Sequence, residues 1–249
     1  MHFPFGCPVC CQRLSPELSC ICGFQGEFSD GKYHLHCVDD GWEKCLAQVQ
    51  AERKYCEANS ATPNPSANAR AQYMNELMIS RCIALLGEVV REATFVDLGG
   101  ASGWAVHLYN AAGARRGAVL EIDADRLPVS APGLTAVVGD GYRMPFATGS
   151  ADFIFDCSTL HHFEDLPRVL KEIHRVLRPQ GVYVSQGNSP RRKDQSSHRQ
   201  YYMDTFGLIE THPTREEYAA AFRASFGKSC EWHPVEDNMV TYIRKELGV

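Results

Sequence analysis

Acidic side chains end three short apolar runs of this chain, where a folded protein could direct them at a ligand. Asp97 lies in the run Thr94–Leu98, directly before the glycine-rich turn 99–103. Glu121 and Asp140 follow the next two apolar runs. Carboxylates accept hydrogen bonds from hydroxyl and amino groups, and a glycine turn lets a ligand approach the backbone closely. These residue types and spacings predict a binding site for an adenosine-containing cofactor.

The spacing within the turn distinguishes between adenosine cofactors. A dinucleotide site needs Gly-x-Gly-x-x-Gly, because each glycine relieves a steric conflict around the pyrophosphate. Counting from Gly99, the second and third glycine positions hold Ala101 and Trp104. The chain also lacks Gly-x-x-x-x-Gly-Lys-Ser/Thr, the loop that holds nucleoside triphosphates. The pattern therefore favours a cofactor with adenosine but without phosphate.

Two adjacent histidines, His161 and His162, follow the fourth apolar run and could take part in proton transfer. Unperturbed imidazole titrates near neutrality, so either side chain could remove a proton from an acceptor. Packing or capping is the alternative role for each. Glu210 and His212 are lesser candidates for the same role.

Two cysteine pairs near the start of the chain have the residue types of a metal site. Cys7 and Cys10 form the first pair, and Cys20 and Cys22 form a second that is one residue shorter than the usual knuckle. Thiolates hold Zn²⁺ tetrahedrally, and a structural ion replaces the core that about 35 residues cannot supply. Burial of the free thiols is the alternative. Four other side chains could replace a ligand: Cys11, His34, His36 and Cys37.

The elements that position these groups follow from hydrophobic periodicity. The three acid-terminated runs predict parallel strands, because ligands bind beyond the carboxyl ends of such strands. Apolar spacing predicts helices over 41–57, 67–90 and 164–177, and a capping box at Thr214 and Glu217 predicts a helix start.

The pattern Asp97-Leu98-Gly99-x-x-x-Gly103 resembles the first motif of class I S-adenosylmethionine-dependent methyltransferases. The passage from Met144 to His162 resembles the small-molecule members related to ubiquinone-biosynthesis enzymes, and the resemblance covers about residues 93–186. It implies an α/β fold with a Rossmann-like seven-stranded sheet and a reversed final hairpin. The amino-terminal cysteines resemble small zinc-binding modules found ahead of some bacterial methyltransferases.

This resemblance implies S-adenosylmethionine as the cofactor, with Glu121 on the ribose and Asp140 on the adenine. It also implies Tyr73 as a pocket residue, on a helix that lids the cofactor. The other implied cofactor contacts are Asp97, Gly99, Gly100, Ala101, Gly103, Ile122, Gly141 and Cys157. The methyl group would pass to a small molecule by in-line displacement.

The expected organisation is a zinc-ribbon-like module at 1–37, a helical linker and lid at 38–92, and a cofactor-binding domain at 93–249. A substrate-side insertion is expected at about 188–213. Its four cations could pair with an anionic substrate, although a solvated loop is the alternative: Arg191, Arg192, Lys193 and Arg199.

Composition limits the kinds of partner and compartment that we expect for this chain. The net charge of −5 and the lack of a long basic run argue against general nucleic-acid affinity. No apolar run reaches the roughly 20 residues of a membrane span, and the first residues do not resemble a secretory signal. Eleven cysteines then indicate a reducing compartment, so we expect a cytoplasmic enzyme.

Two other functions remain open from the sequence. One is methylation of a ribosomal or transfer RNA base, since zinc modules also precede this fold in ribosomal RNA guanine methyltransferases. The other is a non-catalytic protein that binds a partner. The sequence does not specify the oligomeric state.

Overall fold

The predicted strands form where buried apolar runs end in the acids described above. The computed structural model describes residues 3–59, 65–188, 190, 196–236 and 238–246, without the side chains of 59, 65–72 and 196–199. In this part of the chain, one sheet has the order β1-β2-β5-β4-β3-β6-β7-β9-β8. Its strands are β1 (Glu27–Ser29), β2 (Lys32–His34), β3 (Thr94–Leu98), β4 (Arg116–Glu121), β5 (Leu134–Val138), β6 (Ala151–Cys157), β7 (Leu177–Gln186), β8 (Glu231–Val235) and β9 (Asn238–Arg244).

Strands β3 to β9 are the predicted seven-stranded sheet. Strands β3 to β7 run parallel, and β9 pairs antiparallel with both β7 and β8, which forms the predicted reversed hairpin. Parallel order brings the carboxyl ends of β3, β4, β5 and β6 to one edge. Asp97, Glu121, Asp140 and the two adjacent histidines all lie at or just beyond that edge.

The helices pack on both faces of the sheet. They are α1 (Asp40–Asn59), α2 (Pro65–Leu86), α3 (Trp104–Ala111), α4 (Leu166–Val176), α5 (Ser196–Phe206) and α6 (Arg215–Phe226). Asp165 caps α4, and the predicted capping box of Thr214 and Glu217 starts α6. None of the helices in the described residues is both long enough and apolar enough to cross a bilayer.

Two apolar layers hold the helices to the sheet. One face buries Ile154 and Tyr183 against Ile173 and Phe222 of α4 and α6. The opposite face buries a stack of aromatic rings that includes Phe95. Full burial of one such side chain contributes about 1.5–3 kcal/mol. The sheet edge that carries the acids is therefore held rigidly from both sides.

The amino-terminal segment extends this sheet. Strands β1 and β2 form a hairpin, and β2 pairs parallel with β5 through Tyr33 and His34. Phe3 and Phe5 are buried in the same apolar cluster as α4 and α6. The amino-terminal segment that carries the cysteines therefore shares one apolar core with the predicted cofactor-binding domain. Its strands β1 and β2 add to the predicted seven-stranded sheet.

Candidate active site and cysteine cluster

A cavity of about 690 Å³ lies at the carboxyl ends of β3, β4, β5 and β6. Cavities of this size hold drug-sized ligands. Its wall includes both predicted histidines and six predicted cofactor residues: His161, His162, Gly99, Glu121, Ile122, Asp140, Gly141 and Cys157. Eight of the thirteen predicted catalytic and cofactor residues therefore line one cavity.

Glu121 is fixed by backbone donors from two elements. Its Oε1 accepts hydrogen bonds from the N–H groups of Ile122 at 2.8 Å and Asp123 at 3.2 Å. Its Oε2 accepts from the N–H of Ala101 at 3.2 Å. Burial raises the pKa of this carboxyl group, and the N–H groups oppose that shift. Two of these N–H groups occupy Oε1, so Oε2 keeps a lone pair with which the oriented carboxylate can accept from a ribose hydroxyl.

Asp140 starts the short helical turn after β5. Its Oδ1 accepts from the N–H of Tyr142 at 2.8 Å, while its Oδ2 lies 3.9 Å from Nε of Arg143. Burial raises the pKa of Asp140. The Oδ2 atom can therefore accept from an amino group in the cavity, as adenine recognition requires.

Asp97 lies beneath the glycine turn and is fully buried. Its Oδ2 has no hydrogen-bond partner among the described residues. Burial, with the nearby charges of Asp156 and Glu121, raises the pKa of Asp97 to about 8. A Cβ on Gly100 would lie 2.3 Å from this oxygen, so the turn rests directly on the carboxyl group. Asp97 does not line the cavity, but a cation bound close to the turn would lower the pKa of this carboxyl group and favour its charged form.

The turn follows a path that normally requires glycine. Gly99 has φ of +66°, and a Cβ there would lie 2.5 Å from the side chain of Thr159. Ala101 has φ of +44°, which costs an L-residue about 1–2 kcal/mol. Its N–H bond to Glu121 accompanies that conformation. Ala101, in this strained conformation, thus links the glycine turn to Glu121, the carboxylate predicted to bind ribose.

Replacing Asp97 with asparagine is expected to make the free protein less sensitive to pH. Between the ordinary carboxyl pKa near 4 and the folded pKa of about 8, the native state keeps a proton that the unfolded state has lost. The free energy of unfolding therefore falls as pH rises through this window. An asparagine side chain does not titrate, so thermal unfolding between pH 5 and 9 should show the variant gaining stability relative to wild type as pH increases.

Asp125→Asn is the control, because Asp125 is exposed and pairs with Arg53 at the surface. Curves for Asp97→Asn that run parallel to wild type across the whole range would contradict the assignment of a buried titrating group.

Within the expected lid segment 38–92, α1 lines the cavity, whereas no described residue of α2, which carries Tyr73, lies on its wall. Tyr73 is 57 % exposed and does not lie on the cavity wall. Helix α2 packs against β7, β8 and β9 on a face of the sheet. The wall residues from α1 are Gly41, Lys44, Cys45, Ala47, Gln48 and Glu52. Gly100, Ala101 and Gly103 shape the turn without lining the cavity.

The two histidines have different environments. His162 Nδ1 lies 2.9 Å from the carbonyl oxygen of Ile209. Because a carbonyl only accepts, Nδ1 carries the proton and Nε2 keeps its lone pair in the neutral ring. His161 is buried, and burial together with the neighbouring His162 lowers its pKa to about 4. His162 is therefore the better placed of the two to accept a proton from a molecule in the cavity.

The four predicted cysteines form one cluster. The sulfur atoms of Cys7, Cys10, Cys20 and Cys22 all lie within 4.8 Å of one another. The Cys7–Cys22 and Cys10–Cys20 distances are 3.5 Å and 3.4 Å. Sulfurs on a tetrahedral zinc ion are about 3.8 Å apart, given bonds of about 2.3 Å. The shortened second pair therefore brings both thiols to the cluster, and the donor set fits a metal ion.

Other residues predicted as ligands or substrate contacts are outside this cluster or outside the described part of the chain. Cys11 is exposed and outside the four-cysteine cluster. Arg191, Arg192 and Lys193 lie outside the described residues, as does the side chain of Arg199.

Comparisons with known proteins agree with this geometry. Residues 96–185 match the family described as "Methyltransferase domain". A chain from the complex of the Haloferax volcanii Trm112 methyltransferase activator with a methyltransferase superposes with a TM-score of 0.56. It is 19% identical, and the match covers 72% of this chain and 95% of that one. An S-adenosylmethionine-dependent methyltransferase from Mesorhizobium loti gives 0.53 at 18% identity, with 66% and 96% covered.

Sequence relatives match over a shorter stretch. The mitochondrial arginine-hydroxylase NDUFAF5 of Mus musculus is 40% identical over 48 residues, or 19% of this chain and 14% of that protein. The human protein of the same name is 37% identical over 49 residues and is also covered to 14% of its length. The chain thus matches about one seventh of these relatives. Residues 96–185 thus match a methyltransferase-domain family, and the chain has the fold of S-adenosylmethionine-dependent methyltransferases with an added amino-terminal four-cysteine cluster.

Proposed function

We propose that this protein methylates a small molecule that binds beside His162, opposite the cofactor acids. The main support for this proposal is that Glu121 and Asp140 line the same cavity as the two histidines. When bound, S-adenosylmethionine supplies an electrophilic methyl group. The chain's own contribution is to hold the acceptor in line with that group and to exclude water, which can lower a barrier by several kcal/mol.

Each wall residue has a defined role in this proposal. The Glu121 carboxylate accepts from the ribose hydroxyls, and Asp140 accepts from the adenine amino group. The lone pair on His162 Nε2 takes the proton of a hydroxyl or amine acceptor, while its Nδ1–H remains bonded to Ile209. Helix α1 closes the cavity from the outside.

The charges on the wall favour an acceptor with an anionic group. Arg143 and Arg126 on this wall are paired with Asp39 and Glu52. Lys44 forms no ion pair with another described residue, and it faces the same cavity. Lys44 is exposed at the opening of the cavity, where its ammonium group can attract a carboxylate or phosphate. This supports a metabolite-sized anion as the substrate class.

Labelled methyl transfer to a fractionated cell extract tests the proposal. We expect the label in the small-molecule fraction, where neither nuclease nor protease treatment releases or removes it. Label that enters RNA and is lost with nuclease would establish the RNA-methylating alternative instead. Tight cofactor binding without transfer to any fraction would favour the non-catalytic alternative.

With the acceptor identified, replacing Lys44 by methionine should raise KM for that acceptor about 2- to 5-fold, because an exposed ion pair contributes up to about 1 kcal/mol. This pair is made before the reaction begins, so kcat should change little. Steady-state kinetics provides the measurement. Lys54→Met is the control, because Lys54 lies on α1 but off the cavity wall. An unchanged KM for Lys44→Met would remove the anionic acceptor from the proposal.

Zinc in the four-cysteine cluster is part of the same proposal. Four thiolates fill a tetrahedral ion completely, which leaves no position for water and supports a structural role. A reducing compartment, as in the cytoplasm, suits this chemistry, because all eleven cysteines are free thiols.

A further inference from the structure

Two histidines and a glutamate form a second cluster behind the histidine wall of the cavity. Ligand atoms of His161, Glu210 and His212 all lie within 4.8 Å of one another. Glu210 Oε2 is 3.5 Å from Nε2 of His161 and 2.6 Å from Nε2 of His212. Ligand atoms on one first-row metal ion are about 3–4 Å apart, since each bond is about 2.1 Å long. The His161–Glu210 separation is that of two ligands on one ion, whereas the Glu210–His212 contact would lengthen by a few tenths of an ångström when an ion binds.

The shared oxygen of this cluster is not satisfied by hydrogen bonding. Glu210 is buried, and its Oε2 has no hydrogen-bond partner among the described residues. His212 is close enough, but the contact lacks the alignment of a hydrogen bond. Apart from this ion-pair contact with His212, the buried oxygen has no aligned donor among the described residues, and such an oxygen is costly. A cation placed between the three side chains would satisfy it.

A hydrogen-bond chain fixes the tautomer of His161. Asn188 donates through Nδ2 to Asp156 and to Oγ of Ser185, so its Oδ1 faces Nδ1 of His161 at 3.1 Å. Nδ1 of His161 must therefore donate, and its Nε2 turns a lone pair towards Glu210. Metal-binding histidines are oriented in this way by a partner on the other ring nitrogen.

The backbone around the cluster holds the ligands in place. The carbonyl oxygen of His161 accepts from both N and Oγ1 of Thr211, at 2.7 Å and 2.8 Å. His212 has φ of +39°, and its ring lies parallel to that of His161 at 4.7 Å. Gln48 of α1 accepts from the N–H of Ile209. Left-handed backbone outside glycine persists where surrounding contacts fix it, and such positions concentrate at functional sites.

We propose that His161, Glu210 and His212 bind one divalent transition-metal ion. Imidazole with carboxylate suits zinc, iron or cobalt, whereas magnesium prefers oxygen ligands alone. Three side chains leave coordination positions open, and His161 also lines the cavity. An oxygen or nitrogen of a molecule in the cavity could fill such a position. That last step rests on the proposed function, whereas metal binding itself does not.

Zinc titration of the full-length protein, without cofactor or acceptor, tests the site. Wild type should bind two equivalents, one at the four-cysteine cluster and one at the His–Glu–His cluster. Glu210→Gln and His212→Asn should each weaken the second equivalent at least 100-fold and retain the first. Asparagine tolerates the left-handed backbone at position 212. Magnesium should not compete for the second equivalent.

His107→Asn is the matched control, because His107 is exposed on α3 outside the cluster, and it should keep both equivalents. Retained binding of S-adenosylhomocysteine by the variants reports an intact fold. One equivalent in wild type overturns the proposal, and this outcome does not depend on how the variants fold. A second equivalent that binds equally well to both variants overturns it as well. Neither measurement involves methyl transfer, so the test of the metal site remains valid even if the proposed methyltransferase function is wrong.

Discussion

Glu121→Gln is expected to weaken binding of S-adenosylmethionine about 100-fold or more. The amide cannot replace the carboxylate, because three backbone N–H groups already point at the two oxygens. An NH₂ group in that position would face donors on every side and lose a ribose hydroxyl as well. Hydrogen bonds to charged groups contribute about 1.5–3 kcal/mol each, so losing two gives this magnitude. Calorimetric titration with the cofactor provides the measurement.

Glu164→Gln is the matched control for this variant. Glu164 lies on the same cavity wall, and its side chain accepts from no backbone group in the part of the chain described here. We expect its affinity for the cofactor to stay within about threefold of wild type, as for most exposed substitutions. Near-normal binding by a folded Glu121→Gln protein would show that the cofactor does not contact this acid.

Replacing both Cys7 and Cys10 with serine should remove most of the bound zinc and destabilise the whole protein. The cluster lies between Phe3 and Phe5 and the β1–β2 hairpin, and these apolar side chains belong to the main core. Loss of a structural metal is among the few changes that cost more than about 4 kcal/mol. For a domain of this size, that corresponds to a fall in Tm of about 8–16 °C. Metal analysis and thermal unfolding of the same samples measure both effects.

The control for the cysteine variant is Cys11→Ser. Cys11 neighbours Cys10 in the sequence but is exposed and outside the cluster. Its zinc content and Tm should match those of wild type. Full zinc content in the double variant would rule out these thiols as ligands. An unchanged Tm after zinc loss would show that the metal does not stabilise the protein as a whole.

Local pattern was sufficient to predict the sheet edge that carries the cofactor acids. The run at 94–98 is buried almost throughout, and strand β3 begins and ends at the same residues as this run. Glu121 and Asp140 were predictable for the same reason, because parallel strands must end at one edge. The capping box before α6 was predictable because it depends on residues only three positions apart.

Long-range pairing was not visible in the sequence. Strand β2 is three residues long, and its neighbour β5 is about 100 positions away, so no local pattern indicates their pairing. The prediction of Tyr73 as a pocket residue rested on the family resemblance, and it is wrong because α2 packs its apolar side chains on the sheet and leaves Tyr73 exposed. Glu210 and His212 approach His161 only through the fold, across about 50 positions of sequence.

A crystal structure with S-adenosylhomocysteine tests the central claim most directly. We expect density for one molecule in the cavity under α1, with ribose hydroxyls on Glu121 and the adenine amino group on Asp140. The sulfur should point towards His162, with unfilled space between them for the acceptor. Density in another part of the molecule, or a ribose that contacts neither acid, would contradict the account.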